Sequence, residues 1–308
     1  MSAKVVVVGS LNMDLVARAQ RLPRPGETLA GDRFFTAPGG KGANQAVAVA
    51  RLGGSVAMVG SVGDDGYGQQ LRDGLAAEGI DCQGVITCPG VSSGVALITV
   101  DAASQNCIVI IPGGNGLLTP QAVQRFDALL QAAEVVICQL EVPLETVAWT
   151  LARAHELGKQ VILNPAPASG PLPASWYPHI NYLTPNESEA EALTGIPVND
   201  QASALQAGER LLALGAGKVI ITLGAQGALR VSADGHQHYP APVVQPLDTT
   251  AAGDTFIGGF AAGLVRGLEE GDAIAFGQRA AALSVTRAGA QPSIPHLVEV
   301  EPCRRRHC

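Results

Sequence analysis

Val5-Val6-Val7-Val8, followed at once by Gly9-Ser10-Leu11-Asn12-Met13-Asp14, is the stretch on which the fold turns. Four β-branched residues without polar alternation describe a strand buried on both faces, as in parallel sheets covered by helices. Apolar runs of two to four residues recur at 56–59, 135–138, 161–163, 182–183 and 219–222. Helical patterns lie between them at 41–52, 66–78, 120–132, 144–157 and 202–214. Gly53, Gly79, Gly158 and Gly215 stand where four of these helices should stop. Alternating β and α predicts a mainly parallel central sheet with helices on both faces, joined by right-handed crossovers.

Two regions break the alternation. Residues 11–37 and 92–111 hold strand-like pieces with no helix between them. Residues 95–100 and 107–111, separated by a polar turn, read as an antiparallel hairpin. Pro23, Pro25 and Gly26 interrupt the first region. The two regions predict a small β-sheet over the main one, either a lid on a site or an ordinary edge decoration. A further hairpin is expected within 228–241, around Ala233-Asp234-Gly235. There is no repeat and no long linker, so 1–308 is expected to be one domain with the small sheet inserted and a C-terminal tail at 297–308.

The 308 residues are 47% hydrophobic and 15% charged, enough apolar material for a sizeable core. A net charge of −7 argues against a surface that tracks nucleic-acid phosphates, while leaving room for one nucleotide in a locally positive site. No apolar run reaches membrane-spanning length, and the first residues lack the pattern of a signal peptide. The six cysteines show neither a C-x-x-C pair nor a repeated spacing, which predicts reduced thiols in a cytoplasmic protein. The Cys303–Cys308 end reads as a frayed terminus rather than a metal clip.

The strongest local chemistry lies in Asp248-Thr249-Thr250-Ala251-Ala252-Gly253-Asp254-Thr255-Phe256. A helical pattern starts here, so Ala251, Ala252 and Gly253 would offer free N–H groups and the positive dipole end to an anion. Asp254 would sit beside that anion, a sensible place for a base that deprotonates an attacking hydroxyl. A bare Gly-Asp would read first as an Asp that merely suits the dipole. The full nine-residue string is more specific.

Gly39-Gly40-Lys41-Gly42-Ala43-Asn44-Gln45-Ala46 is neither a Walker A loop nor a dinucleotide fingerprint. Its glycines allow a tight turn against a ligand, and Lys41 and Asn44 could donate to sugar hydroxyls; a plain turn with a surface lysine reads equally well. Asn12 and Asp14 follow the first strand, where open α/β sheets bind ligands. Thr184-Pro185-Asn186-Glu187-Ser188-Glu189 reads as a capped helix start, compatible with a place near nucleotide phosphates. His236 and His238 would share one strand face but are too few for a zinc site. No G-x-S-x-G elbow supports serine hydrolysis.

Taken together and in order, these strings resemble the ribokinase-like (PfkB-type) carbohydrate kinase family. The resemblance also rests on RPGETL (24–29), NPAPA (164–168), ITLG (221–224) and VTRAGAQPSIP (285–295), and spans about residues 4–296. It implies a three-layer α/β/α sandwich with a small β-sheet lid that also joins two copies into a homodimer. It implies ATP-dependent phosphorylation of a small sugar, D-ribose at O5 first. The alternatives are 2-deoxyribose, fructose or adenosine, or a silent sugar-binding regulator on the same scaffold. Carried over by position, the sugar ligands would be Asn12, Asp14, Gly40, Lys41, Asn44, Glu141 and Asp254, with Asp254 as base and Ala251, Ala252 and Gly253 as anion hole. ATP with Mg²⁺ would lie near Asn186, Glu189, Thr222, Gly224 and Gly253. A monovalent cation, normally K⁺, would sit at Asp248, Thr250, Ser284, Arg287, Gly289 and Ser293. The family usually has Asn where this chain has Ile257.

Overall fold

The computed structural model describes residues 3–103 and 105–301. Val5–Val8 is the central strand β1, paired in parallel with Val56 onward on one side and Val135 onward on the other. Its pleat sends Val5 and Val7 into one apolar core and Val6 and Val8 into another. That two-faced burial is what a β-branched run without alternation requires, and it generates three layers.

The small sheet leaves the chain directly after β1. Asn12–Arg18 (β2) and Arg33–Gly39 (β3) pair antiparallel, and the chain then enters the helix Lys41–Arg51 (α1). Next come β4 (Val56–Gly63), α2 (Gly66–Ala77) and β5 (Asp81–Cys88). Gly94–Val100 (β6) lies parallel to β2, and Asn106–Ile111 (β7) closes the expected hairpin. The second sheet therefore runs β3-β2-β6-β7. It unites the two regions that broke the alternation.

The chain then returns to the main sheet. Two short helices, α3 (Pro120–Gln124) and α4 (Asp127–Ala132), lead to β8 (Val135–Cys138). After it come α5 (Leu144–Glu156), β9 (Gln160–Leu163), β10 (Tyr182–Leu183), α6 (Glu187–Thr194), α7 (Gln201–Ala213) and β11 (Lys218–Thr222). The hairpin β12 (Ala228–Ser232) and β13 (Gly235–Tyr239) forms one edge. Helices α8 (Ala252–Val265), α9 (Glu270–Ser284) and α10 (Leu297–Val300) complete the described chain. The nine-stranded order is β13-β12-β11-β10-β9-β8-β1-β4-β5, with every neighbouring pair parallel except β11–β12 and β12–β13.

One core packs α1, α2, α8 and α9 against the sheet; the other packs α3 to α7. Fully buried side chains such as Phe260, Leu52, Leu151 and Ile162 anchor them. Each contributes on the order of 1.5–3 kcal/mol of burial. The chain leaves β1 for β4 on one side and comes back to β8 on the other. The carboxyl ends of β1 and β8 thus form a topological switch point, where open α/β sheets bind ligands.

One expectation is corrected and two elements were not expected. The helix at 120–132 is two helices, because Phe126 turns out of helical geometry (φ −110, ψ 22) and starts the second. Strand β5 is an additional strand at the sheet edge; its polar start, Asp81-Cys82-Gln83, hides the apolar signature. Residues 297–300 form a short helix with Val300 buried, so the C-terminal tail is ordered at its start. The Cys303–Cys308 end lies outside the described residues. Among the described residues no helix is long and apolar enough to cross a membrane.

Candidate active site

Asp254 is the best-held carboxylate at the switch point. It occupies the first turn of α8 and is only 7% exposed. Its Oδ2 accepts from Asn44 Nδ2 and its Oδ1 from Gln45 Nε2, both at 2.9 Å. Consecutive residues can reach one carboxylate because α1 begins with its amide-bearing side facing α8. Gly40 starts α1 at φ +87, and a Cβ there would stand 2.8 Å from the Asn12 amide nitrogen. Glycine is required by both counts.

Ala251 enters α8 in the left-handed region at φ 58, the one non-glycine residue with positive φ among those described. No side chain caps this helix. The Gly253 and Asp254 amides have no hydrogen-bond acceptor among the described residues. Gly253 is exposed, with nothing within 4 Å of its would-be Cβ. A helix start left open in this way offers N–H groups to an anion.

Glu141 follows β8 and ties the loop after β1 to the start of α1. One carboxylate oxygen accepts from Ser10 Oγ at 2.5 Å and from the Lys41 backbone amide at 2.9 Å. Asn12 is 3% exposed; its Oδ1 accepts from Asn115 Nδ2 at 2.8 Å, while Asn115 Oδ1 takes the Leu11 amide. Asn115 therefore turns the Asn12 NH₂ group away from itself and leaves it as a donor. Asp14 lies on β2 between Ala37 of β3 and Ala96 of β6. Burial first, then the Glu141 and Asp254 carboxylates, push its pKa up to about 7. Lys41 feels the opposite balance. Burial pulls its pKa down, but Asp254, Glu141 and Glu189 together outweigh this and hold it above its ordinary value.

Two cavities are lined by these groups, and the bond from the Lys41 amide to Glu141 links their walls. One, about 190 Å³, is lined by Lys41, Asn186, Glu189, Thr222 and the Ala251–Asp254 turn. The other, about 590 Å³, opens under β7 and is lined by Asn12, Glu141, Asn115, Pro143, Pro167 and Trp176 among others. Asn186 and Glu189 form a complete capping box: Asn186 Oδ1 accepts the Glu189 amide at 2.8 Å and Glu189 Oε2 accepts the Asn186 amide at 2.9 Å. The capping role and a place on the cavity wall therefore coexist. Burial raises the Glu189 pKa against the lowering effects of the Asn186 amide and Lys41.

Beside α8, the Asp248 carboxylate links two loops. Its Oδ1 accepts from Thr250 N at 2.9 Å and Thr250 Oγ1 at 2.6 Å, and its Oδ2 accepts from Gly289 N at 2.8 Å. These bonds hold its pKa low against the cost of burial. Ser284 and Ser293 are fully buried, each donating to a carbonyl of its own turn, Ala281 and Ala290.

Not every expected residue faces the cavities. Gly224 is in a turn beyond β11 and is not on the cavity wall; Thr222 is. The Arg287 guanidinium pairs with Glu299. Ile257, in place of the usual Asn, is 2% exposed and forms part of the 190 Å³ wall. His238 Nε2 lies 2.7 Å from the Gln226 carbonyl on a surface hairpin. Ser10, Gln45, Asn115, Gln139 and Asn164 were not foreseen as site residues. Ser10, Gln45 and Asn164 sit inside strings already singled out and Gln139 directly follows the 135–138 run, but uncharged side chains carry no local signal of their purpose. Asn115 has no signal at all.

The family model for pfkB family carbohydrate kinases matches residues 2–297. The chain belongs to this family. The pfkB assignment is carried further by close relatives. A ribokinase of Haemophilus influenzae is 43% identical over 296 residues, 96% of each chain. A deoxyribokinase of Salmonella typhimurium is 40% identical, over 95% of this chain and 96% of the relative. The crystal structure of ribokinase from Thermotoga maritima superposes with TM-score 0.89 at 39% identity, covering 97% of this chain and 98% of the other. The structure of Arabidopsis thaliana ribokinase complexed with ribose and ATP gives 0.92 at 31% identity, covering 98% of each. As a pfkB kinase, the chain is an ATP-dependent carbohydrate kinase with the family's sandwich and small lid.

Proposed function

We propose that this kinase phosphorylates D-ribose on O5, with Asp254 as the general base. The observation that carries the reading is Asp254 itself: buried, held by two amides, and adjacent to unclaimed N–H groups at the start of α8. Ribose would lie between the walls of the two cavities, with its hydroxyls facing Asn12, Asp14, Gly40, Lys41, Asn44 and Glu141. Asp254 would accept the O5 proton as that oxygen attacks the γ-phosphorus of ATP. Of the expected donors Ala251, Ala252 and Gly253, Ala252 gives its N–H to the Thr249 carbonyl at 3.2 Å, so the Ala251 and Gly253 amides would take the growing charge first, and Lys41 would neutralise the crowd of carboxylates. Phosphoryl transfer depends mainly on such positioning and electrostatic stabilisation.

ATP would occupy the 190 Å³ cavity beside Asn186, Glu189, Thr222 and Gly253, with Gly224 further out. Glu189 is the one acidic wall residue besides Asp254. This fits Mg²⁺, which binds through phosphates and water with few protein ligands, and which would supply charge neutralisation. Asp248, Thr250, Gly289 and the carbonyls of 284–293 offer oxygen donors suited to a monovalent cation, K⁺ first; it would stiffen the start of α8. The lid exposes Phe34 (66%), Val109 (56%), Ile108 and Ile110. Apolar faces of that extent favour burial against a second copy, hence a homodimer through the lid.

A coupled assay across ribose, 2-deoxyribose, fructose and adenosine tests the substrate. Ribose should give the highest kcat/KM; preference for 2-deoxyribose or adenosine would reassign it. Asp254→Ala should still bind ribose but lose turnover by several orders of magnitude. A rate within about tenfold of the parent would remove the base assignment.

A further inference from the structure

We infer that Gln139 and Gln45 form a buried amide relay whose polarity fixes the orientation of the Asp254 carboxylate. The inference rests on the kinase reading of Asp254 and extends it to residues that touch neither substrate.

Both amides are 0% exposed. Gln139, just after β8, donates Nε2 to Gln45 Oε1 at 2.6 Å. Gln45 in turn donates Nε2 to Asp254 Oδ1 at 2.9 Å and to Asn164 Oδ1 at 3.2 Å. Asn164 donates Nδ2 to the Thr184 carbonyl at 3.2 Å. Every donor thus points down the chain toward the carboxylate or toward its support.

The direction has a visible cost. Gln139 Oε1 is buried without a partner. It sits where a Cβ on Gly9 would come within 2.0 Å, so Gly9 must lack a side chain for Gln139 to be there. Buried acceptors of this kind are normally satisfied. Turning the Gln139 amide over would place its oxygen against Gln45 Oε1. Gln45 would then have to turn as well, presenting its own oxygen to Asp254. The negative charge of Asp254 forbids that arrangement, so the relay has one stable polarity.

The consequence is a carboxylate held on both oxygens by neutral donors, Gln45 on Oδ1 and Asn44 on Oδ2. Neutral amides fix its plane without the competing positive charge that a direct cationic partner would bring. Gln45 is accordingly a positioning residue, and Gln139 positions Gln45.

Two variants test this. Gln45→Met preserves volume and removes the donor. Its kcat with ribose should fall at least about tenfold with KM within about twofold, the split expected when only transition-state geometry is lost. Gln139→Glu introduces a group that donates when protonated and only accepts when ionised. Its kcat relative to the parent should therefore fall as pH rises and Gln45 is turned over. Asp14, Lys41, Glu141 and Glu189 face the site in both proteins, so the ratio cancels their titration. A Gln45→Met enzyme with parental kcat, or a Gln139→Glu ratio flat across pH, would overturn the relay. A parent that turns over no sugar would instead overturn the kinase reading, and the relay's purpose with it.

Discussion

Helices α6 and α8 both begin on the wall of the same 190 Å³ cavity, and they begin in opposite ways. The start of α6 is closed: Asn186 and Glu189 satisfy each other's amides in a capping box. The start of α8 is open: Ala251 carries strained backbone, no side chain caps the helix, and the Gly253 and Asp254 amides have no protein acceptor among the described residues. Capping is worth about 1 kcal/mol and its omission costs stability. A helix that forgoes it in a polar cleft keeps its N–H groups for a ligand. Orphaned amides, more than the presence of a helix start, separate the open wall from the capped wall.

The sharpest way to break this contrast is Gly253→Pro. Proline is tolerated in a first helical turn and removes one N–H that has no protein partner to lose. Melting temperature should hardly move, while kcat falls by about two to three orders of magnitude. Unchanged kcat would mean that this amide carries no developing charge. Asn186→Ala should do the reverse: a loss of about 1 kcal/mol in denaturant unfolding, with a smaller effect on kcat. A catalytic loss as large as that of Gly253→Pro would erase the distinction between the walls. The smallest effect is expected for Ala251→Gly. Glycine relieves the left-handed strain, so stability should rise by up to about 1 kcal/mol with kcat little changed. A large drop in kcat would show that the strain itself holds the anion hole.

Much of the architecture was legible. The central strands at 5–8, 135–138 and 182–183 match the observed limits, because apolar runs, the first two mostly β-branched, leave little choice when both faces are covered. The two regions without helices were recognisable as a small sheet. Their parallel β2–β6 pairing was not, since it joins segments about eighty residues apart with no local code. Strand β5 was hidden by its polar edge, and the break at Phe126 by an uninterrupted helical pattern.

The site divides along the same line. Asp254, Lys41 and Asn44 stand in strings whose glycines and charges mark them, and the structure brings them together. Gln45, Gln139 and Asn115 are neutral amides with no charge to betray them; only their distances to Asp254, Gln45 and Asn12 respectively assign them a purpose.

The sequence alone determined the layered α/β scaffold and the helix start that bears Asp254, because both depend on periodicity and on backbone chemistry within a few residues. Only the tertiary structure decided which polar groups are satisfied and which are left open. That depends on side chains 94 to 210 residues apart meeting in a buried space, where each hydrogen bond fixes the next.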